Sequence, residues 1–214
     1  MKRAAIAAVL AALTAVPAAA QNFGSPLWNN PKGGTGVTIS GDYARPNTNL
    51  GKGNVFGARA SLGLVNLSLT AGVTTWKPDG AASSVSSVGG NAAFRVIGGS
   101  LLPVAMNLQL GAAHQGAANG DSALTRLTFG GGLAVSFPMP GLSIEPYVSV
   151  SDRLYKYSGL SGTKSHVGWV IGANLGLGML GFHVAYDSES FGSGVTGGVI
   201  GLGAHVALKA PMGM

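Results

Sequence analysis

The chain has 214 residues, 36 of them glycine, with only 9% charged side chains and no cysteine. Lack of cysteine excludes disulfide staples, Cys-ligated zinc and thiol catalysis together. The net charge of +6 comes from scattered Lys and Arg, which argues against a nucleic-acid patch and makes anionic lipid headgroups the better counterpart.

The first 20 residues read as an export signal. Lys2 and Arg3 give a positive start, the run from Ile6 to Val16 is apolar, and Ala18, Ala19 and Ala20 precede Gln21. Cleavage is expected after Ala20. The apolar run is shorter than the roughly 20 residues that span a bilayer as a helix. No later window offers such a run, so apolar character must be spread over another kind of element.

Residues 21–34 hold Pro26, Pro31, Gly33 and Gly34 around Trp28 and carry no periodicity. They read as an irregular periplasmic lead-in. After them the pattern changes to a period of two. Within 165–177, Val167, Trp169, Ile171, Ala173, Leu175 and Leu177 share one face, and Gly168, Val170, Gly172, Asn174 and Gly176 the other. That is a strand with one apolar side.

Ten such strands are expected, at residues 35–44, 54–62, 65–76, 87–97, 105–115, 123–137, 142–153, 165–177, 180–189 and 195–208, with eight as the alternative count. The links at 63–64, 98–104, 138–141 and 178–179 are short, and those at 45–53, 77–86, 116–122, 154–164 and 190–194 are longer. Short periplasmic turns alternating with long outer loops, on strands that are apolar on one face only, predict an all-β, antiparallel up-and-down transmembrane β-barrel. It occupies 35–208, followed by a tail at 209–214, and an even strand count puts both termini in the periplasm. Val37, Ile39, Leu67, Leu69, Leu108, Leu110, Leu127, Leu133, Val135, Ile144, Val148, Ile171, Val184, Ile200 and Leu202 are expected to face lipid. Tyr43, Trp169, Tyr186 and Phe191 at the outer ends, and Phe94, Phe137 and Phe182 at the inner ends, supply aromatic girdles.

In this architecture the chain resembles the small bacterial outer-membrane β-barrels of the OmpA-like transmembrane-domain and opacity-porin type. The resemblance implies a surface barrel whose loops serve adhesion or contact. One departure concerns the end of the chain, where such proteins commonly finish on an aromatic residue. Here Pro211 sits in the tail and cannot extend a ladder, so the signal for barrel insertion is atypical.

The same alternation turns Asp42, Arg59, Arg95, Arg126, Glu145, Arg153, His166, Asp187 and Glu189 into the lumen, with His183 and His205. A base at mid-depth on the lipid side would cost roughly 2–4 kcal/mol. An internal ion network is the first expectation; inward glycines, including Gly57, Gly130, Gly132, Gly172 and Gly201, leave room for a narrow path. At the rim of the fourth long loop, Arg153, Tyr155, Lys156, Tyr157 and Lys164 are candidates for contact with lipopolysaccharide phosphates.

His166, Asp187 and Glu189 have the chemistry of metal ligands or of general-base machinery, but Ser165 alternates to the opposite face from His166. No catalytic residue, metal or cofactor is assigned. The functional expectation is a non-enzymatic outer-membrane barrel contributing to envelope structure or surface contact. A narrow passive channel for small solutes is the alternative, and an outer-membrane enzyme comes third. Expected partners are outer-membrane lipid and lipopolysaccharide, with the barrel-insertion machinery and periplasmic chaperones during biogenesis. No nucleic acid is expected, and the barrel is expected to be a monomer.

Overall fold

The computed structural model describes residues 23–98 and 102–208. The expected export signal and the expected tail lie outside the described residues. Eleven strands follow one another as β1 (Gly36–Pro46), β2 (Asn54–Leu64), β3 (Leu67–Lys77), β4 (Val85–Ile97), β5 (Val104–Gln115), β6 (Leu124–Val135), β7 (Phe137–Met139), β8 (Leu142–Tyr157), β9 (Lys164–Leu177), β10 (Leu180–Ser190) and β11 (Thr196–Leu208). Every pairing is antiparallel. β1 pairs with β11 and β6 with β8, so the sheet closes on itself. β7 resumes β6 after Ser136 and pairs with the start of β8, which makes a closed barrel of ten long strands with one short extra strand. Closure matters energetically, because inside a bilayer each unpaired backbone group costs several kcal/mol.

The two-residue period is what separates the faces. On β5, Leu108 and Leu110 are 57% and 64% exposed, while Asn107 and Gln109, which alternate with them, are 1% and 4% exposed. Ile39, Phe56, Val73, Phe129, Val150, Ile171, Val184 and Leu202 extend the same exposed apolar belt around the barrel. A soluble protein rarely shows water a continuous patch of this kind, whereas a bilayer requires it. Outward aromatic pairs mark the outer level: Tyr43 with Phe56, ring centroids 5.5 Å apart, and Trp169 with Tyr186, 5.7 Å apart. Phe94, Phe137 and Phe182 are exposed at the opposite level. Phe191 departs from its expected girdle role. It turns inward and packs against His166, 5.0 Å between centroids, because its position continues the inner face of β10.

Tight turns at one end need backbone that most side chains resist. Gly178 adopts φ +65° in the two-residue link to Met179, a conformation open to glycine at little cost. The equivalent link between β2 and β3 falls at Val65 and Asn66, two residues beyond the expected turn, and Val65 takes φ +58°.

A larger departure is at the end of β8, which runs four residues past the expected boundary. Leu154 to Tyr157 are laddered to Leu127–Leu124 of β6, and Leu154 and Tyr155 to Ser165 and Lys164 of β9. The fourth loop therefore shrinks, and its basic and aromatic residues become strand residues with a fixed inside and outside.

The segment expected as a periplasmic lead-in lies inside the barrel. Phe23 is at the long-loop end, where its N–H donates to Ser87 Oγ at 3.1 Å. Lys32 is at the short-turn end, 2.9 Å from Glu145. Between them the chain runs the length of the lumen as an irregular strap before turning into β1. Its Pro and Gly content suits it to this route, since backbone without regular structure survives at membrane depth only when surrounded by protein.

Candidate functional site: the strapped lumen

Leu27 is the strap's anchor. It is fully buried against Ala134, Tyr147, Val170 and Ala185, a small apolar core inside an otherwise polar lumen. Glycines on the facing strands make the room. A Cβ at Gly201 would come within 2.7 Å of Pro26, and one at Gly132 would collide with the Asn29 amide. Polar contacts fix the register: the Leu27 N–H donates to Asp187 Oδ2 at 2.9 Å, and the Asn107 amide donates to Asn29 Oδ1 at 2.8 Å. The Asn174 amide donates to the Asn29 carbonyl at 3.2 Å.

Around this strap the inward charges form three separate groups instead of one ring. At mid-depth, Arg59 donates through Nε to Asp42 Oδ2 at 2.6 Å and through Nη2 to Oδ1 at 3.0 Å, and His183 Nε2 lies 2.6 Å from Asp42 Oδ1. Trp28 of the strap sits edge-on to His183 with Arg59 over its ring. His205 stacks on the far side of His183, 5.5 Å between centroids.

The outer group is the most buried. Arg153, 2% exposed, donates through Nη2 to Asp187 and through Nη1 to Glu189 Oε2, both at 2.8 Å. Tyr155 donates its hydroxyl to the same Glu189 oxygen at 2.7 Å. Arg126 donates to the Tyr155 hydroxyl at 3.4 Å and lies 4.7 Å over the Phe23 ring, tying the group to the strap. Charge-assisted bonds between Arg153 and the two acids let these ions stay buried, which an isolated charge would not tolerate.

At the short-turn end, Arg95 donates to the Lys32 carbonyl at 2.5 Å and to Asn66 at 2.6 Å. Glu145 meets Lys32 and Ser136. This group is wetter, with Lys32 31% exposed in its side chain.

His166 shares no ion pair or hydrogen bond with the charges of the three groups. Its Nδ1 lies 3.1 Å from the Ser190 carbonyl and its ring lies between Tyr155 and Phe191. Asp187 and Glu189 are held by Arg153, so the three residues considered as a metal or general-base set do not converge. Among the described residues no group of three such side chains is placed to hold a metal ion. Ser165 donates to Asp152 at 2.5 Å on the outer side, away from His166.

The rim candidates divide for the same reason. Arg153 stands in the lumen, as its alternation implies, and not at the rim, and Tyr155 is corrected from a lipopolysaccharide contact to a lumen residue, because β8 continues through both and turns them inward. Tyr157 follows them and is half-buried, with the Lys164 ammonium 6.0 Å above its ring. Lys156 alternates outward and is exposed.

No family model matches the chain, and no curated protein matches it in sequence. Among solved structures, the β domain of the Bordetella autotransporter BrkA aligns over 83% of this chain and 100% of that one, at 11% identity and a TM-score of 0.51. The chain has the fold of an outer-membrane β-barrel. The N-terminal β-barrel domain of Pseudomonas aeruginosa OprF aligns over 83% of the barrel chain and 100% of its own, at 13% identity and a TM-score of 0.40. The outer membrane enzyme PagL aligns over 80% and 99%, at 9% identity and 0.45. The likeness is one of fold.

Sequence reasoning found the inward charges but not the strap residues that organise them. Ser25, Leu27, Trp28 and Asn29 carry no periodic signal. The one cue was an apolar Leu27 and Trp28 beside two prolines in a chain where other bulky apolar groups face lipid.

Proposed function

We propose that the protein is a closed, non-enzymatic surface barrel that contributes to envelope structure and surface contact, its lumen sealed by its own residues 23–34. The observation that carries this reading is the strap itself, with Leu27 buried among four strands and its N–H bound to Asp187. A path down the lumen would have to displace it. Single-channel recording of the intact protein in planar bilayers is the test. No steady conductance is expected; steady conductance of the wild type would refute the closed reading and favour the passive channel.

The non-enzymatic part rests on the lumen chemistry. The Asp42–His183 pair has the orientation of a general base, yet His183 Nδ1 faces His205 Nδ1 at 3.3 Å, where a serine-type mechanism needs a hydroxyl. Closure of the ten long strands supports a monomer, since among the described residues only the short β7 keeps an edge that could pair with a second copy. Lys156 and Lys164 are the rim cations available to lipopolysaccharide phosphates. Contact with the insertion machinery and chaperones during biogenesis belongs to the same reading.

A further inference from the structure

Above the strap, under the first and last long loops, the barrel keeps a cavity of about 350 Å³. Its floor is Phe23 and the outer ion group; Trp76, Tyr157, Leu124, Leu50 and Phe191 form much of the wall. This volume is within the range of small-molecule sites, which pair apolar walls with a few fixed polar groups.

The polar group here is Glu189. Its side chain is 6% exposed and lines the cavity. Oε2 accepts from both Arg153 and Tyr155, whereas Oε1 has no hydrogen-bond partner among the described residues. A buried carboxylate oxygen without a donor is costly. The rest of the group is already committed: Asp187 accepts from Arg153 and from the strap, and Arg126 stacks on Phe23. Two arginines beside the acid disfavour a cationic guest, and the aromatic walls favour a flat one.

We propose that this vestibule binds a small, neutral, ring-shaped molecule that donates one hydrogen bond, a phenol-type hydroxyl, to Glu189 Oε1. The remaining rings of the guest lie against Trp76, Tyr157 and Phe191. The site does not depend on whether the barrel below conducts.

Two probes with the same ring separate donor recognition from apolar partitioning: 2-naphthol, which donates, and 2-methoxynaphthalene, which only accepts. Titration calorimetry on the full-length protein in lipid nanodiscs, with empty nanodiscs subtracted, should find 2-naphthol bound about tenfold more tightly, the ratio expected of one bond to a charged group. Glu189→Gln gives an internal inversion. Its carbonyl must take the Oε2 position, where Tyr155 and Arg153 donate, so its amide N–H₂ is presented where Oε1 was. In that variant 2-methoxynaphthalene should bind at least as tightly as 2-naphthol. Leu124→Trp narrows the cavity from its wall while keeping every hydrogen-bonding group of the ion cluster, and should weaken binding of both. Failure of the wild type to bind 2-naphthol, an unchanged preference in Glu189→Gln, or binding undiminished by Leu124→Trp would each overturn the proposal.

Discussion

The two ends of the lumen hold charge in opposite ways. At the outer end, Arg153, Asp187 and Glu189 have side chains 2%, 5% and 6% exposed, and one guanidinium serves both acids. At the short-turn end, Lys32 and Glu145 are 31% and 13% exposed and form a single contact. The first arrangement is an all-or-none network, because losing the cation strands two buried anions. The second is a solvent-screened pair whose partners can return to water. An ionic contact in a barrel lumen therefore contributes to stability according to its burial.

The sharpest way to break this contrast is Arg153→Leu. Removal of one partner of a buried pair typically costs about 3–5 kcal/mol, and here two acids lose their cation. A large fall in the urea midpoint of detergent-refolded protein is expected, read by the heat-modifiable gel shift. An unchanged midpoint would mean that the group is hydrated in solution. Next in size is Gly201→Leu, whose side chain would occupy the place of Pro26 and Trp28 while leaving the β10–β11 ladder paired. The strap should become sensitive to added protease with the barrel band intact; continued protection would show that the strap lies elsewhere.

Lys32→Ala should cost under about 1 kcal/mol, as exposed pairs do, and its effect should shrink further in high salt. A loss comparable to that of Arg153→Leu would erase the difference between the two ends. Smallest of all on stability is the Lys156→Ala, Lys164→Ala pair, which touches no buried group. It should lower lipopolysaccharide retention by on the order of 1 kcal/mol per cation without moving the unfolding midpoint. Equal retention across salt concentrations would remove these residues from the binding surface.

These effects track what was legible in the residues. The strands and their faces could be read because the period of two is local: Asn107, Leu108, Gln109 and Leu110 declare the inner and outer sides within four positions. The inward charges followed from the same alternation. Their grouping did not, because it depends on partners such as Asp42 and His183, 141 positions apart. The strap was illegible for a stronger reason. It has no period, and its anchor Leu27 finds Asp187 across 160 positions. At the end of β8, Tyr155 and Tyr157 fall in the expected loop because basic and tyrosine-rich composition looks solvated, and Arg153, the last residue of the expected strand, is assigned to both lumen and rim. Their spacing of two was the signal that a strand continued through them and turned them inward.

The location of the strap is the central claim, and thiol cross-linking tests it most directly because the native chain contains no cysteine. Asn29 and Asn107 face each other through both amides, at 2.8 and 3.3 Å. In an Asn29→Cys, Asn107→Cys variant folded in outer membranes, a short bis-methanethiosulfonate linker, which spans the gap the paired amides leave, should join the two thiols, seen as a shifted band when the boiled protein is run without reductant. Absence of that band, together with free labelling of Cys at position 29 by a soluble maleimide in the folded barrel, would place the segment outside the lumen and contradict the account.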